Sequence, residues 1–188
     1  MSVAEEKKRL FIGIRVPDTL RDELSKVKDK ATFTAAVRWV ETNNLHLTLK
    51  FLGDCKPSFV EPLSQKLQSI INKHHSFYLE TTVIGSFPSP KRARILWLGL
   101  RGGGRLISMQ NDIDEGLSEF GYEREEREYH PHITLARFKR PAKIDLDKLN
   151  NSLIFNERFK VGSVVLFESR LSKGGAEYSI LKLFSLNP

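Results

Sequence analysis

The sequence predicts an α+β fold with largely antiparallel sheets, and three observations carry that expectation. Runs that alternate apolar and polar residues, the mark of half-buried strands, recur along the chain. Segments with apolar residues three and four positions apart, the mark of amphipathic helices, separate some of them. Several strand-like runs nonetheless follow one another directly, which fits antiparallel pairing better than a doubly wound parallel sheet, where each strand needs a helical crossover.

In chain order, Leu10 to Val16 reads as a first strand, stopped by Pro17-Asp18. Asp18 is expected to cap a helix that turns Leu20, Leu24 and Val27 to one side. Ala36 to Val40 is a second strand. Asn43-Asn44 turns the chain into Leu45 to Leu52, an alternating strand. Ser58 and Glu61 have capping-box spacing ahead of a helix whose apolar face is Leu63, Leu67, Ile70 and Ile71. Phe77 to Ile84 and Arg94 to Leu100 are strands. Leu106, Met109, Ile113, Leu117 and Phe120 mark a helix ended by Gly121. His132 to Phe138 is a strand, Leu146, Leu149 and Leu153 suit a short helix, and Phe159 to Glu168 with Tyr178 to Leu186 form a hairpin across Lys173-Gly174-Gly175. The loops near Gly85 to Ala93 and Gly121 to Tyr129 are expected at the surface beside a site.

The 188 residues suit one domain or two small lobes sharing a core. Lys plus Arg number 30 against 23 Asp plus Glu, a net charge of +7 that attracts polyanions without naming one. The single cysteine, Cys55, excludes an internal disulfide framework and a thiolate metal cluster. No apolar run is long enough to span a bilayer, and the charged N-terminus does not read as a signal peptide, so the cytoplasm is the expected compartment.

The chemistry sits in two matched phrases, His46-Leu47-Thr48-Leu49 and His132-Ile133-Thr134-Leu135. A chance His-x-Thr is expected about 0.2 times in a chain of this composition. On a strand, residues two apart share a face, about 6.6 Å from one another. His46, Thr48 and Lys50 therefore face one way, and Leu45, Leu47, Leu49 and Phe51 face the core. His132 and Thr134 repeat the pattern. Two imidazoles can supply the base and the acid that phosphodiester cleavage needs at once, and threonine hydroxyls can donate to phosphoryl oxygens as charge builds there. No metal or other cofactor is then required. A three-histidine metal site of His46, His130 and His132 is the competing arrangement, but it leaves the threonines without a purpose.

At these residues the sequence resembles the two-histidine (2H) phosphoesterases, and among them the RNA 2′,3′-cyclic phosphodiesterases, once called 2′-5′ RNA ligases. The matching stretches are Arg38-Trp39-Val40, His46 to Gly53, Arg94 to Gly99 and His130 to Arg137, with the strand Leu10 to Pro17. The resemblance implies a bilobal, pseudo-twofold α+β fold, with antiparallel sheets lining a central cleft and helices outside, residues 1–188 forming one domain of two interleaved lobes. It implies hydrolysis of a terminal 2′,3′-cyclic phosphate on RNA to a 2′-phosphomonoester. His46 would donate a proton to the departing 3′ oxygen, His132 would accept one from water, and Thr48, Thr134 and Arg137 would bind the phosphate.

Strict alternation turns Arg137 away from Thr134, so it reaches the cleft only where the strand bulges or ends. Lys50 lies on the motif face by the same counting. Trp39, Phe87 and Tyr129 are aromatics that could stack a base but are as readily core or rim, and Cys55 looks incidental. The expected partner is RNA with a cyclic phosphate end, tRNA fragments or nucleotides included, met by a monomer with no membrane contact. Joining tRNA halves through a 2′-5′ bond would use the same acid and base in reverse. A module that binds nucleotides without turnover would favour Arg and Lys over the His and Thr pairs.

Overall fold

The computed structural model describes residues 7–31, 33, 35–153, 155–172 and 175–188. β1 (Lys8–Arg15) leads through Pro17 into α1 (Asp18–Ser25), which buries Leu20 and Leu24. Val27 starts a separate turn, α2 (Val27–Lys30), yet is fully buried beside them. Asp18 does not cap α1. Pro17 holds the capping position, and the Asp18 carboxylate, inside the first turn, pairs with Arg21.

β2 (Val37–Trp39) and a 3-10 turn at Thr42–Asn44 precede β3 (His46–Cys55) and α3 (Pro57–Ile71). Ser58 makes no capping bond either. The helix begins one residue earlier, at Pro57, whose fixed φ suits the first helical position. Leu63, Leu67, Ile70 and Ile71 form its buried face as expected. β4 (Phe77–Phe87), β5 (Ala93–Arg101) and α4 (Gly103–Gly116) follow. A 3-10 turn then ends at Gly121, whose φ of 82° is left-handed. Next come β6 (His132–Ala142) and α5 (Leu146–Ser152), the latter capped by the Asp145 carboxylate, which accepts from the Lys148 N–H.

The last stretch differs from the expected hairpin. Arg158–Val161 is a strand of its own, β7, paired with β4, and the chain crosses at Gly162 to β8 (Ser163–Ser172) and β9 (Gly175–Ser185). Lys173 and Gly174 of the expected turn lie outside the described residues.

The strands form one sheet in the order β7-β4-β5-β6-β3-β1-β8-β9, with β2 on β6, and every pairing between them is antiparallel. The order is symmetric about the β6–β3 junction. β5 and β1 flank it, β4 and β8 come next, and β7 and β9 lie outermost. The junction is narrow, a single pair Leu47↔Ile133. The helix-side face buries Leu47, Ile133, Leu96 and Leu98 against Leu63, Leu67, Met109 and Ile113 in one core. The opposite face carries the polar side of both motifs. Among the described residues no helix is long and apolar enough to cross a membrane.

Both motif strands carry a bulge at the fourth motif residue. Against β1, the register steps from Gly13↔Thr48 to Ile12↔Lys50, so Leu49 is the extra residue. Against β5, it steps from Trp97↔Thr134 to Leu96↔Ala136, so Leu135 is extra. A bulge inverts the alternation beyond it. Two expectations are corrected as a result: Lys50 is buried on the helix side, and Phe51, expected in the core, is 69% exposed. On β6 the same step buries Ala136 and brings Arg137 out on the motif face.

Candidate active site

The Leu47↔Ile133 pair sets the geometry. Both residues point into the helix-side core, so their neighbours point the other way. Continuing the antiparallel register puts His46 across from Thr134 and Thr48 across from His132. The two histidines thus lie diagonally over the junction, near enough for His132 to act on the charge of His46.

Each ring is oriented in the same way. The Nδ1 of His46 lies 2.6 Å from the carbonyl oxygen of Asn44, and that of His132 lies 2.7 Å from the carbonyl oxygen of His130. A carbonyl only accepts, so each Nδ1 carries the proton and each neutral ring has its lone pair at Nε2. The Asn44 carbonyl is offered by the 3-10 turn before β3, and the His130 carbonyl by the His130-Pro131 approach to β6.

Aromatic rings wall each imidazole. His46 stands 4.7 Å from Phe11, 5.9 Å from Phe167 and 5.2 Å from Tyr178, ring centre to ring centre. His132 stands 5.2 Å from Phe87, edge to face, and 6.1 Å from Trp97. Beside His46 a cavity of about 260 Å³ opens between Arg15, Arg21, Asn44, Phe167 and Tyr178. Gly13 is what lets β1 pass so close. A Cβ there would lie 2.7 Å from the Leu47 carbonyl oxygen and 3.6 Å from Cδ2 of His46. Gly13→Ala is therefore expected to push β1 off β3 and tilt His46. A loss of about 1–3 kcal/mol in stability and of roughly tenfold to a hundredfold in kcat should follow, read by denaturant melts and steady-state rates.

Burial, the largest cause in each case, pushes both imidazoles below their ordinary value of 6.5. The carbonyl bonds at Nδ1 oppose it, and the Arg137 guanidinium adds to it at both rings. His132 further lowers His46, and His130 further lowers His132. Arg137 therefore acts on both histidines from the motif face. The unfolded chain takes up protons near pH 6.5, while the folded one does so only lower down. Stability from the neutral rings is complete above pH 6.5 and is lost as pH falls from there through the folded values. Melts of the native protein at pH 7.5 and 5.5 should differ by more than those of a His46→Gln/His132→Gln variant. An equal difference would show that these rings do not contribute.

Thr48 and Thr134 are half-buried on the same face. Arg38 on β2 lies directly across from Arg137, so two guanidiniums share one row of the sheet. Arg38 stands inside a motif stretch, but sequence reasoning does not assign it to the site, because its pairing with β6 is invisible there.

The other candidates divide. Phe87 is part of the site. Tyr129 is half-buried and held by its hydroxyl, which donates to the Thr48 carbonyl oxygen at 2.7 Å, and burial raises its pKa. Trp39 packs against the core, 6.1 Å from Phe33. Lys50 is withdrawn from the face and paired with Asp114. Cys55 is buried and accepts from the Tyr122 hydroxyl. Among the described residues no three His, Cys, Asp or Glu side chains converge on a point that suits a metal, and His130 serves His132 through its backbone carbonyl.

Known proteins are similar to this chain in sequence and fold. A family model described as LigT-like phosphoesterase matches residues 14–97 and 101–178. The RNA 2′,3′-cyclic phosphodiesterase of Methanothermobacter thermautotrophicus is 31% identical over 96% of this chain and 100% of its own length. That of Methanocaldococcus jannaschii is 31% identical over 93% and 98%. The crystal structure of Escherichia coli LigT complexed with 3′-AMP is similar at a TM-score of 0.81 and 30% identity, over 97% of this chain and 100% of that one.

Proposed function

The chain belongs to the LigT-like phosphoesterase family, and from that premise we propose that it is an RNA 2′,3′-cyclic phosphodiesterase that opens a terminal cyclic phosphate to a 2′-phosphomonoester. The relatives named for that activity support the reading, as does the 3′-AMP held by the Escherichia coli protein. The observation that carries it is the pair of imidazoles on one face, each fixed at Nδ1 and each presenting Nε2, with Arg137 acting on both.

The proton balance follows from that pair. Water attacks phosphorus and gives a proton to Nε2 of His132. The bond from phosphorus to the 3′ oxygen breaks, and Nε2 of His46 protonates that oxygen. A 3′ hydroxyl and a 2′-phosphate remain. His132 ends protonated and His46 neutral, and exchange with solvent resets both. His46 must enter the cycle charged although burial favours its neutral form, and the anionic substrate offsets that cost. Thr48 and Thr134 donate to the non-bridging oxygens and Arg137 neutralises their charge. The assignment of donor to His46 and acceptor to His132 follows the family pattern.

The working compartment is proposed to be the cytoplasm, and the enzyme to act as a monomer. The test is to incubate the protein, with excess chelator, with an RNA ending in a 2′,3′-cyclic phosphate and identify the end. A 2′-phosphate is expected. A 3′-phosphate would reverse the roles of the two rings, loss of activity on chelation would bring metal chemistry back, and binding without turnover would make the protein a binding module.

A further inference from the structure

We propose that the strip formed by Tyr78, Arg101 and Arg158, beyond His132 on the motif face, holds the RNA strand upstream of the cyclic end, so that the enzyme prefers oligonucleotides to mononucleotides. The inference rests on the RNA-end reading above and extends it to the rest of the strand.

Position comes first. From Ile95 to Arg101, β5 alternates without a break of its own. Ile95 lies across from Arg137, Trp97 across from Thr134 and Gly99 across from His132. Arg101 is the next residue on that face, about 6.6 Å further along the strand. Glu80 of β4 lies across from Arg101, and Arg158 of β7 lies across from Glu80. The row therefore begins one step past the catalytic histidine and runs to the sheet edge on the same face.

Chemistry comes second. The Arg158 guanidinium sits 4.1 Å over the Tyr78 ring, holding that ring in place while it remains 48% exposed. Arg101 donates to Glu80 at 2.7 Å and Arg158 lies 3.8 Å from the same carboxylate. Arg105 stands in the same lining, where Glu80 is the sole acid among the described residues. The depression they enclose measures about 450 Å³. Exposed pairs of this kind contribute little to stability. What the cluster does offer is guanidiniums for backbone phosphates and a braced aromatic face for a base, the combination that binds single-stranded nucleic acid without reading its sequence.

The test compares a 2′,3′-cyclic mononucleotide with a six-nucleotide RNA carrying the same end. Arg101→Gln/Arg158→Gln is expected to raise KM for the oligonucleotide about tenfold or more, with kcat unchanged and the mononucleotide unaffected. The salt slope of log KM for the oligonucleotide should fall by about 1.4, at roughly 0.7 for each backbone phosphate that is no longer neutralised. Tyr78→Leu should raise the same KM without changing the slope, and Glu80→Gln should lower it. Equal effects on both substrates, or none on the oligonucleotide, would overturn the strip. Fluorescence anisotropy with a labelled six-nucleotide RNA ending in a 3′-phosphate reads the strip without turnover. Weaker binding by the double variant supports it even where no cyclic phosphate is opened, and unchanged binding overturns it even where hydrolysis is normal.

Discussion

Replacing either motif histidine by alanine should lower kcat on a cyclic phosphate end by about 10²–10⁴, the range expected for loss of a positioned general acid or base. Each ring has its Nδ1 held by a carbonyl and, in the proposed mechanism, transfers protons at Nε2, so alanine removes that transfer and leaves only a carbonyl unpaired at the cleft edge. Far-UV circular dichroism and the melting midpoint should change little. The two losses should not add. Once one transfer is gone the other has no concerted partner, so His46→Ala/His132→Ala should be scarcely slower than the worse single variant. A single variant that keeps full kcat would remove the two-histidine mechanism altogether. Asparagine or glutamine in place of either histidine should be no better than alanine, since neither titrates.

The symmetry of the sheet extends to the two motifs. His46 matches His132, Thr48 matches Thr134, and the bulges at Leu49 and Leu135 match each other. Beyond the bulges the halves differ. Lys50 answers to Ala136 on the buried side, and exposed Phe51 answers to Arg137 on the cleft side. At this matched position the β6 half has a guanidinium and the β3 half a phenyl ring. The scaffold is symmetric where it positions the imidazoles and asymmetric two residues past each bulge.

These features differ in how far they can be read from residues alone. The His and Thr pairs are legible because strand periodicity needs only neighbours two positions apart. The bulges are not. A bulge is defined by the register against a partner strand, and those partners, β1 and β5, lie at other places in the sequence. That is why counting puts Lys50 on the cleft face and Phe51 in the core, and why Arg137 can be placed only conditionally. The aromatic walls have the same origin. Phe167 and Tyr178 reach His46 from the far end of the chain, and Phe87 reaches His132 across β5. Helix faces are legible for α3 and α4, where several apolar residues repeat, whereas the Asp18 and Ser58 caps fail because a proline takes over each helix start. The beginning of the final hairpin is illegible because Phe159 and Val164 belong to strands that diverge at Gly162, a break with no local signal beyond the glycine.

Removing Lys50 or Asp114 should have the largest effect on stability, about 3–5 kcal/mol for either alanine variant, because each leaves the other's charge buried without a partner. Both side chains are nearly sealed, at 8% and 7% exposure. The pair also ties down a loop. Lys50 Nζ donates to the Glu123 carbonyl at 2.9 Å, and Asp114 Oδ2 accepts from the Glu125 N–H at 2.9 Å. That loop runs on to Tyr129, which is fastened to Thr48, and to His130, whose carbonyl orients His132. Lys50→Ala should therefore lower kcat although Lys50 meets no substrate, and hydrogen exchange over residues 122–130 should speed up. The variant Lys50→Met/Asp114→Leu separates the two effects. With both charges gone the desolvation cost disappears, so most of the stability should return, while the loop still lacks its two anchors and kcat should remain low. A double variant as unstable as the singles would mean that packing, not an isolated charge, is what the alanine changes disturb. One that regains full kcat as well would mean that the loop orients His132 without the ion pair.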